Sequence, residues 1–586
     1  MTLTAHGYQD DNLNLLIRYL KPQWPKALLL SLLLFISIGL QLAAPIVLGN
    51  FVDGVMAARG IQALSRMALL FLGIALIQQV FVVSATYLSE DIGWVTTNQL
   101  RQDLAYHCLR LDMPFFHQHT PGELIERIDG DVDKLANFFS RFTIQILGNA
   151  LLMAGILVVL SFQNFWIGVS LAVFVVLTLL VLHAIRNLAV PSWELARQAS
   201  ASLLGFLEER VSGAEDIRAL GAKEYILYSL HPFFHQLLRR SQKANVMSAA
   251  TVGVTLVAFT LGNVLGLFLG AYFFFRGMVT VGTIYMIYYF TELIRTPLRD
   301  ISNEIQDLQQ AGGSIRRIQE LLRMRSSIQE GVQHPLPPGP LSISFQDVTF
   351  AYQGETNVLE RISFEIGAGK VLGLLGRTGS GKSTIARLLL KMYDPYSGAI
   401  WFNGMDLRST SLAETRRAVG LVTQDVQILQ GISVRDNLTF FDRSISDDQI
   451  VEVFEHLGLD QWYQSLPHGL DTVMESGEKG ISAGQAQVLA FARVFLKDPG
   501  IVILDEASSR LDPFTERLIM EATERLLEDR TAVIIAHRLE TVDRVDQILI
   551  LENGKILEQG ANRDLRQDPA SHFSRLLQTG LGDILS

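Results

Sequence analysis

Hydrophobic and polar positions follow two different rhythms along this chain. Up to about residue 294, long apolar runs alternate with charged stretches, whereas beyond residue 341 the runs are short and bounded by glycine and charge. A helix needs about 20 apolar residues to cross a bilayer, which predicts spans at 27–51, 67–88, 144–162, 165–185, 246–275 and 280–294. The first of these is too long for a secretory leader and is followed by more of its kind, so cleavage is not expected. Residues 1–26 place Leu13, Leu15, Leu16, Ile17 and Leu20 among polar neighbours, the pattern of a helix lying on a membrane surface.

Links 53–66, 161–164 and 276–279 are short; 89–143 and 186–245 are long and hold most of the basic residues, among them Arg101, Arg127, Lys134, Arg218, Arg239 and Arg240. Basic links stay in the cytoplasm, and six spans bring both termini to that same side, the arrangement expected in a bacterial inner membrane. Both long links are patterned as helices, so the spans are expected to continue beyond the bilayer. Each is broken near its middle, at 114–128 and 212–226, where short transverse helices would contact the second half of the chain. The membrane domain is thus read as 27–324. Residues 325–340, with Gly331, Pro335, Pro337, Pro338, Gly339 and Pro340, form a linker, and 341–586 a second domain.

In that domain the apolar run 371–375 reads as a buried strand and 384–392 as a helix; between them lies Gly376-Arg377-Thr378-Gly379-Ser380-Gly381-Lys382-Ser383. A strand, a glycine-rich loop and a helix in this order form a phosphate cradle: glycines let backbone N–H groups close on the anion and the helix start adds its dipole. Lys382 would reach the outer phosphates and Ser383 a Mg²⁺ ion, with Thr384 beside it. A strand at 343–352 ends in Tyr352, which could stack on a base or equally be a core tyrosine. Strand 419–422 is followed by Gln424, whose amide could ligate Mg²⁺ or hold a water. The run 501–504 ends in Asp505 and Glu506: the first suits the metal shell, the second a base for water. Strand 531–536 ends in His537, placed for a terminal phosphate.

Composition supports the division. Of 586 residues, 49% are hydrophobic and mean hydropathy is +0.27, which implies a membrane part, while a net charge of −10 gives no footprint for nucleic acid. The one cysteine, Cys108, cannot form an intrachain disulfide, and His117 and His119 lack a third metal ligand. Asn149, Asn263, Tyr285, Tyr288, Tyr289, Thr291, Glu292 and Arg295 lie in or near spans, where polar groups are costly unless paired or wet. Glu292 and Arg295 suit either a helix-surface pair or a substrate contact.

The loop at 376–383, Gln424, ISAGQ at 481–485, ILDE at 503–506, SSRLD at 508–512 and AHR at 536–538, in this order, resemble the ATP-binding cassette of ABC transporters. The first half resembles the membrane part of exporter-type (type IV) half-transporters. The resemblance implies a multidomain membrane protein: an all-α six-helix transmembrane domain with long cytoplasmic extensions, then an α/β phosphate-loop ATPase domain with a helical signature subdomain. It also implies ATP and Mg²⁺ as cofactors, a second half-transporter subunit, and a hydrophobic or amphipathic substrate such as a drug, lipid or peptide. ATP would lie between the loop of one cassette and the signature of the other, so that Ser482, Gly484 and Gln485 face nucleotide held by the partner, while Glu506 and His537 serve the nucleotide on Lys382.

The signature departs from the family pattern: Ala483 replaces its first glycine, Ile481 its leucine, and Ala486 follows where Arg is usual; Arg510 is a further departure. An altered signature with intact Lys382, Asp505, Glu506 and His537 resembles the catalytic-carboxylate-bearing subunit of heterodimeric exporters. A heterodimer with one degenerate site is therefore expected. The alternatives are a homodimeric lipid flippase or importer of the same fold, and a regulatory ATP sensor without transport.

Overall fold

The computed structural model describes residues 17–141, 146–328, 331, 335–352, 356–423, 426–474, 483–505, 513–536, 542–543 and 545–579. The chain divides into two units: Met1–Leu109 with Pro121–Met324, and Arg110–Thr120 with Arg325–Ser586.

The first unit is helical. Its long elements are α1 (Trp24–Met56) and α2 (Ile61–Leu109), and the first long link continues past the second unit's α3 (Met113–Gln118) into α4 (Pro121–Ile125) and α5 (Asp131–Arg141). Then come α6 (Asn149–Gln163), α7 (Phe165–Ser212), the short α8 (Ala214–Ala219), α9 (Lys223–Phe275) and α10 (Val281–Arg323). At 1.5 Å per residue, the 49 residues of α2 reach about 70 Å, more than twice a hydrocarbon layer of about 30 Å. Helices α2, α7, α9 and α10 are thus each much longer than a bilayer crossing needs. Breaks in the long links have local causes: Asp112 caps α3 by accepting from Phe115 N, Pro114 lies in its first turn, and Gly221 takes a positive φ of 64° before α9.

Five stretches among the described residues are long and apolar enough to cross a membrane: Ile17–Met56, Ile61–Leu109, Ile146–Gln163, Phe165–Ser212 and Lys223–Phe275. The sixth expected span is the first part of α10, which does not reach that apolarity. Tyr285, Tyr288, Tyr289, Thr291, Glu292 and Arg295 interrupt it. Its inner face is nonetheless apolar, with Met286, Ile287, Phe290, Ile294 and Leu298 buried against Leu152, Ile156, Leu171 and Phe259. A seam of Gly262, Gly266 and Gly270 on α9 lets α10 approach closely; a Cβ at Gly266 would lie 3.0 Å from Thr291 Oγ1. At the N-terminus of α10, Asp53 of α1 accepts from Gly282 N (2.7 Å) and Thr280 Oγ1 (2.6 Å), capping the helix from outside.

The second unit is α/β. One sheet has the order β2–β1–β4–β5, from β1 (Ile343–Phe350), β2 (Leu359–Ile366), β4 (Ser397–Phe402) and β5 (Met405–Asp406). The other has the order β10–β9–β3–β8–β7–β6, from β3 (Val371–Gly376), β6 (Val419–Val422), β7 (Ile501–Asp505), β8 (Thr531–Ile535), β9 (Gln547–Glu552) and β10 (Lys555–Ala561). Neighbours from β9 to β6 are parallel, and such strands are apolar on both faces because both faces are covered. In β3, Leu372 and Leu374 face Ile385, Leu388 and Leu389 of α11 (Lys382–Leu389), while Val371 and Leu375 join the opposite core with Val488 and Phe491 of α12 (Ala483–Lys497).

Candidate functional site

The loop leaving β3 is shaped by three glycines in a region that side-chain-bearing residues rarely adopt: Gly376 (φ 147°), Gly379 (82°) and Gly381 (107°). A Cβ on Gly376 would meet Leu551 O at 2.3 Å and one on Gly381 would meet Leu359 Cδ2 at 2.5 Å, so packing as well as φ excludes other residues there. At Gly379 no atom lies within 4 Å, and Arg377, Thr378 and Gly379 are exposed on the open side of the loop.

Lys382 begins α11 and is 6% exposed; its Nζ donates to the carbonyls of Gly376 (2.5 Å) and Arg377 (3.0 Å). Burial pushes its pKa down and the Asp505 carboxylate opposes this. Beside it, Ser380 Oγ is buried and has no hydrogen-bond partner among the described residues. A desolvated ammonium, an unused hydroxyl and the open N–H groups of a helix start together fit an anion with several oxygens.

Ser383 is exposed on the first turn. Thr384 is buried, with Oγ1 3.2 Å from Tyr352 OH, and Arg387 Nη1 donates to the same phenol oxygen at 2.8 Å. The Tyr352 ring meets Phe350 and Tyr393 edge-on, at 4.9 and 5.2 Å between centroids, and His117 of α3 at 6.5 Å. Arg387 was not singled out from the sequence. Its signal was available, since it lies three residues after Thr384 and so on the same helix face.

Register brings the remaining elements to one edge. Asp505 pairs with Ile535, Val422 with Leu504 and Ile535 with Leu374, so β3, β8, β7 and β6 end side by side, where open α/β sheets bind ligands. Asp505 is thereby placed within electrostatic reach of Lys382. Gln424, Ser482, Glu506 and His537 lie outside the described residues. Gly484 and Gln485 occupy the first turn of α12, which is described from Ala483, two residues before the helix start expected near Gln485.

Comparison with known proteins agrees with this geometry. Residues 28–298 match the family model described as ABC transporter transmembrane region, and 359–509 that described as ABC transporter. An uncharacterized ABC transporter ATP-binding protein of Bacillus subtilis is 30% identical over 93% of this chain and 91% of its own. The chain belongs to the ABC transporter family. This ABC transporter is also 30% identical to an ATP-dependent lipid A-core flippase of Vibrio cholerae, over 83% of this chain and 85% of that one. It is 28% identical to a putative multidrug export ATP-binding/permease protein of Bacillus subtilis, over 96% and 98%.

The transporter therefore joins a helical membrane domain to an α/β domain that binds ATP, in the exporter arrangement, and is an ATPase coupled to transport across a membrane. The Ser383 hydroxyl and the Asp505 carboxylate are hard oxygen donors of the kind Mg²⁺ takes beside phosphates.

Proposed function

We propose that this chain is one half of a dimeric exporter that moves a hydrophobic or amphipathic substrate by alternating access, and that its partner is a different half-transporter. The observation that carries the heterodimer is the coexistence, in one cassette, of an intact loop with Lys382 and Asp505 and a signature whose first glycine is Ala483. An added Cβ at Ala483 sits where backbone should approach phosphate, weakening the site that this signature completes.

In this reading Tyr352 stacks on adenine, and Gly376 to Thr384 wrap the phosphates with Lys382 on the outer ones. Ser383, Gln424 and Asp505 hold Mg²⁺, which spreads the charge of the phosphates. Glu506 polarises the attacking water and His537 contacts the terminal phosphate; Ser482, Gly484 and Gln485 face the nucleotide on the partner. ATP binds the closed dimer more tightly than the open one, and that difference drives the membrane helices to their outward-facing state. The turns at 114–128 and 212–226 carry the motion, with the cassette on the cytoplasmic side of a bacterial inner membrane. The names of relatives, one a lipid A-core flippase and one a multidrug exporter, support an amphipathic cargo.

Expression of this chain alone tests the proposal. Slow ATP turnover, restored by a second subunit, is expected. A purified homodimer with normal turnover would overturn the heterodimer, and ATP-driven movement out of inside-out vesicles would overturn export.

A further inference from the structure

In the first unit, exposed positions of the other long helices are mostly what lipid tolerates, Gln79 on α2 apart: Leu72, Leu76, Val80 and Val83 on α2, Val173, Val176 and Leu180 on α7, Val257, Leu261, Val264 and Phe268 on α9. The first part of α10 is the contrary case. Its buried face is apolar apart from Thr291, and its outer face carries the exposed Tyr285, Tyr288 and Arg295 and the half-buried Glu292, at successive steps of three and four residues along one stripe. A helix that turns its carboxylate outward at this depth faces water or a ligand, not hydrocarbon.

Glu292 is held in place. Asn263 Nδ2 of α9 donates to its Oε1, while its other oxygen accepts no hydrogen bond among the described residues; the nearest cation, Arg295 Nη1, is 4.0 Å away. That guanidinium is drawn aside over the Phe259 ring, 5.5 Å from its centroid. The short carboxylate cannot reach an interface, whereas the long Arg295 side chain, one turn nearer the extension of α10, can. One and two turns in the other direction, Tyr288 and Tyr285 offer π faces on the same stripe.

We propose that Glu292, positioned by Asn263 and flanked by Tyr285 and Tyr288, recognises the charged group of a lipophilic cation. This rests on the export reading and adds its substrate class: an amphiphile bearing a positive charge. The cation takes the place of Arg295 beside the carboxylate, and its apolar body lies against the two tyrosines.

Tetraphenylphosphonium and tetraphenylborate share shape and greasiness and differ in the sign of their charge. Equilibrium binding of each is measured on the full chain, with any subunit that co-purifies, in lipid nanodiscs. Saturable binding of the phosphonium is expected, with weaker binding of the borate. Glu292→Gln is expected to weaken phosphonium binding by about tenfold or more. Glu292→Asp, which keeps the charge, is expected to retain most of it, separating lost charge from lost fold, and Arg295→Gln to strengthen it. No saturable phosphonium binding, equal binding of the two ions, or loss in Glu292→Asp as large as in Glu292→Gln would overturn the site. ATP-driven phosphonium uptake into inside-out vesicles is a separate arm. If uptake is absent while the binding pattern holds, the export reading fails and the cation site stands; if uptake proceeds but binding ignores charge, the site fails alone.

Discussion

Lys382 sets the terms of the nucleotide site because it is charged and almost wholly buried, satisfied among the described residues by two loop carbonyls and the field of Asp505. An anion in the loop relieves that cost, which is why a lysine with a depressed pKa belongs there. The base proposed for turnover is a different group. Glu506→Gln is expected to lower the ATPase rate by about 10²–10⁴-fold, the usual worth of a positioned general base, with ATP still bound; steady-state turnover and nucleotide affinity measured on one preparation check both parts. The loop, Lys382 and Asp505 were legible in the sequence because glycine spacing and an acidic residue after an apolar strand are local patterns. The unused Ser380 hydroxyl and the grip of Arg387 on Tyr352 were not, since each depends on what packing leaves around it.

Among elements, the joint between α5 and α10 shows what long helices need outside the bilayer. Asp131 of α5 is 1% exposed and accepts from Arg317 Nε (2.7 Å) and Ser314 Oγ (2.9 Å) of α10, with Lys134 Nζ at 3.3 Å. Burial acts to raise its pKa, but the hydrogen bonds from Arg317 and Ser314 outweigh this and hold the carboxyl below its usual range. A depressed folded-state pKa means that the joint stabilises the protein above the unfolded value of about 3.9 and loses that contribution as pH falls through the folded value. Asp131→Asn is therefore expected to cost about 1–3 kcal/mol near neutral pH. The gap between variant and wild type in thermal unfolding should narrow as the solution is acidified below pH ~4. Five apolar runs were readable as candidate spans from length and apolar composition. The first part of α10 was harder, because its outer stripe is polar and only its inner face is core. The glycine seam on α9 that receives it has a period of four, visible in the sequence but meaningful only against a partner helix.

Across the whole molecule, the sequence showed two halves, and hydrophobic rhythm was enough for that. The break at 114–128 points to a contact with the second half, but not to the bounds Arg110–Thr120 of the segment that groups with the ATP-binding unit. That assignment is decided by tertiary packing. The backbone passes between the units three times, after Leu109, Thr120 and Met324. Asp112 touches two of these places at once: it caps α3 and accepts hydrogen bonds from Ser326 Oγ (3.3 Å) and from Ser327 N and Oγ (2.6 Å for the hydroxyl). Burial acts to raise the Asp112 pKa, but the hydrogen bonds from Ser327, Phe115 and Ser326 outweigh it and hold the carboxyl below its usual range. Asp112→Ala is expected to lower the substrate moved per ATP hydrolysed more than it lowers hydrolysis, read by vesicle uptake and phosphate release in parallel.

That carboxylate amounts to a rivet through two strips of backbone. It fastens the strip that follows α2 to the strip that follows α10, so the two cannot part without giving up those hydrogen bonds.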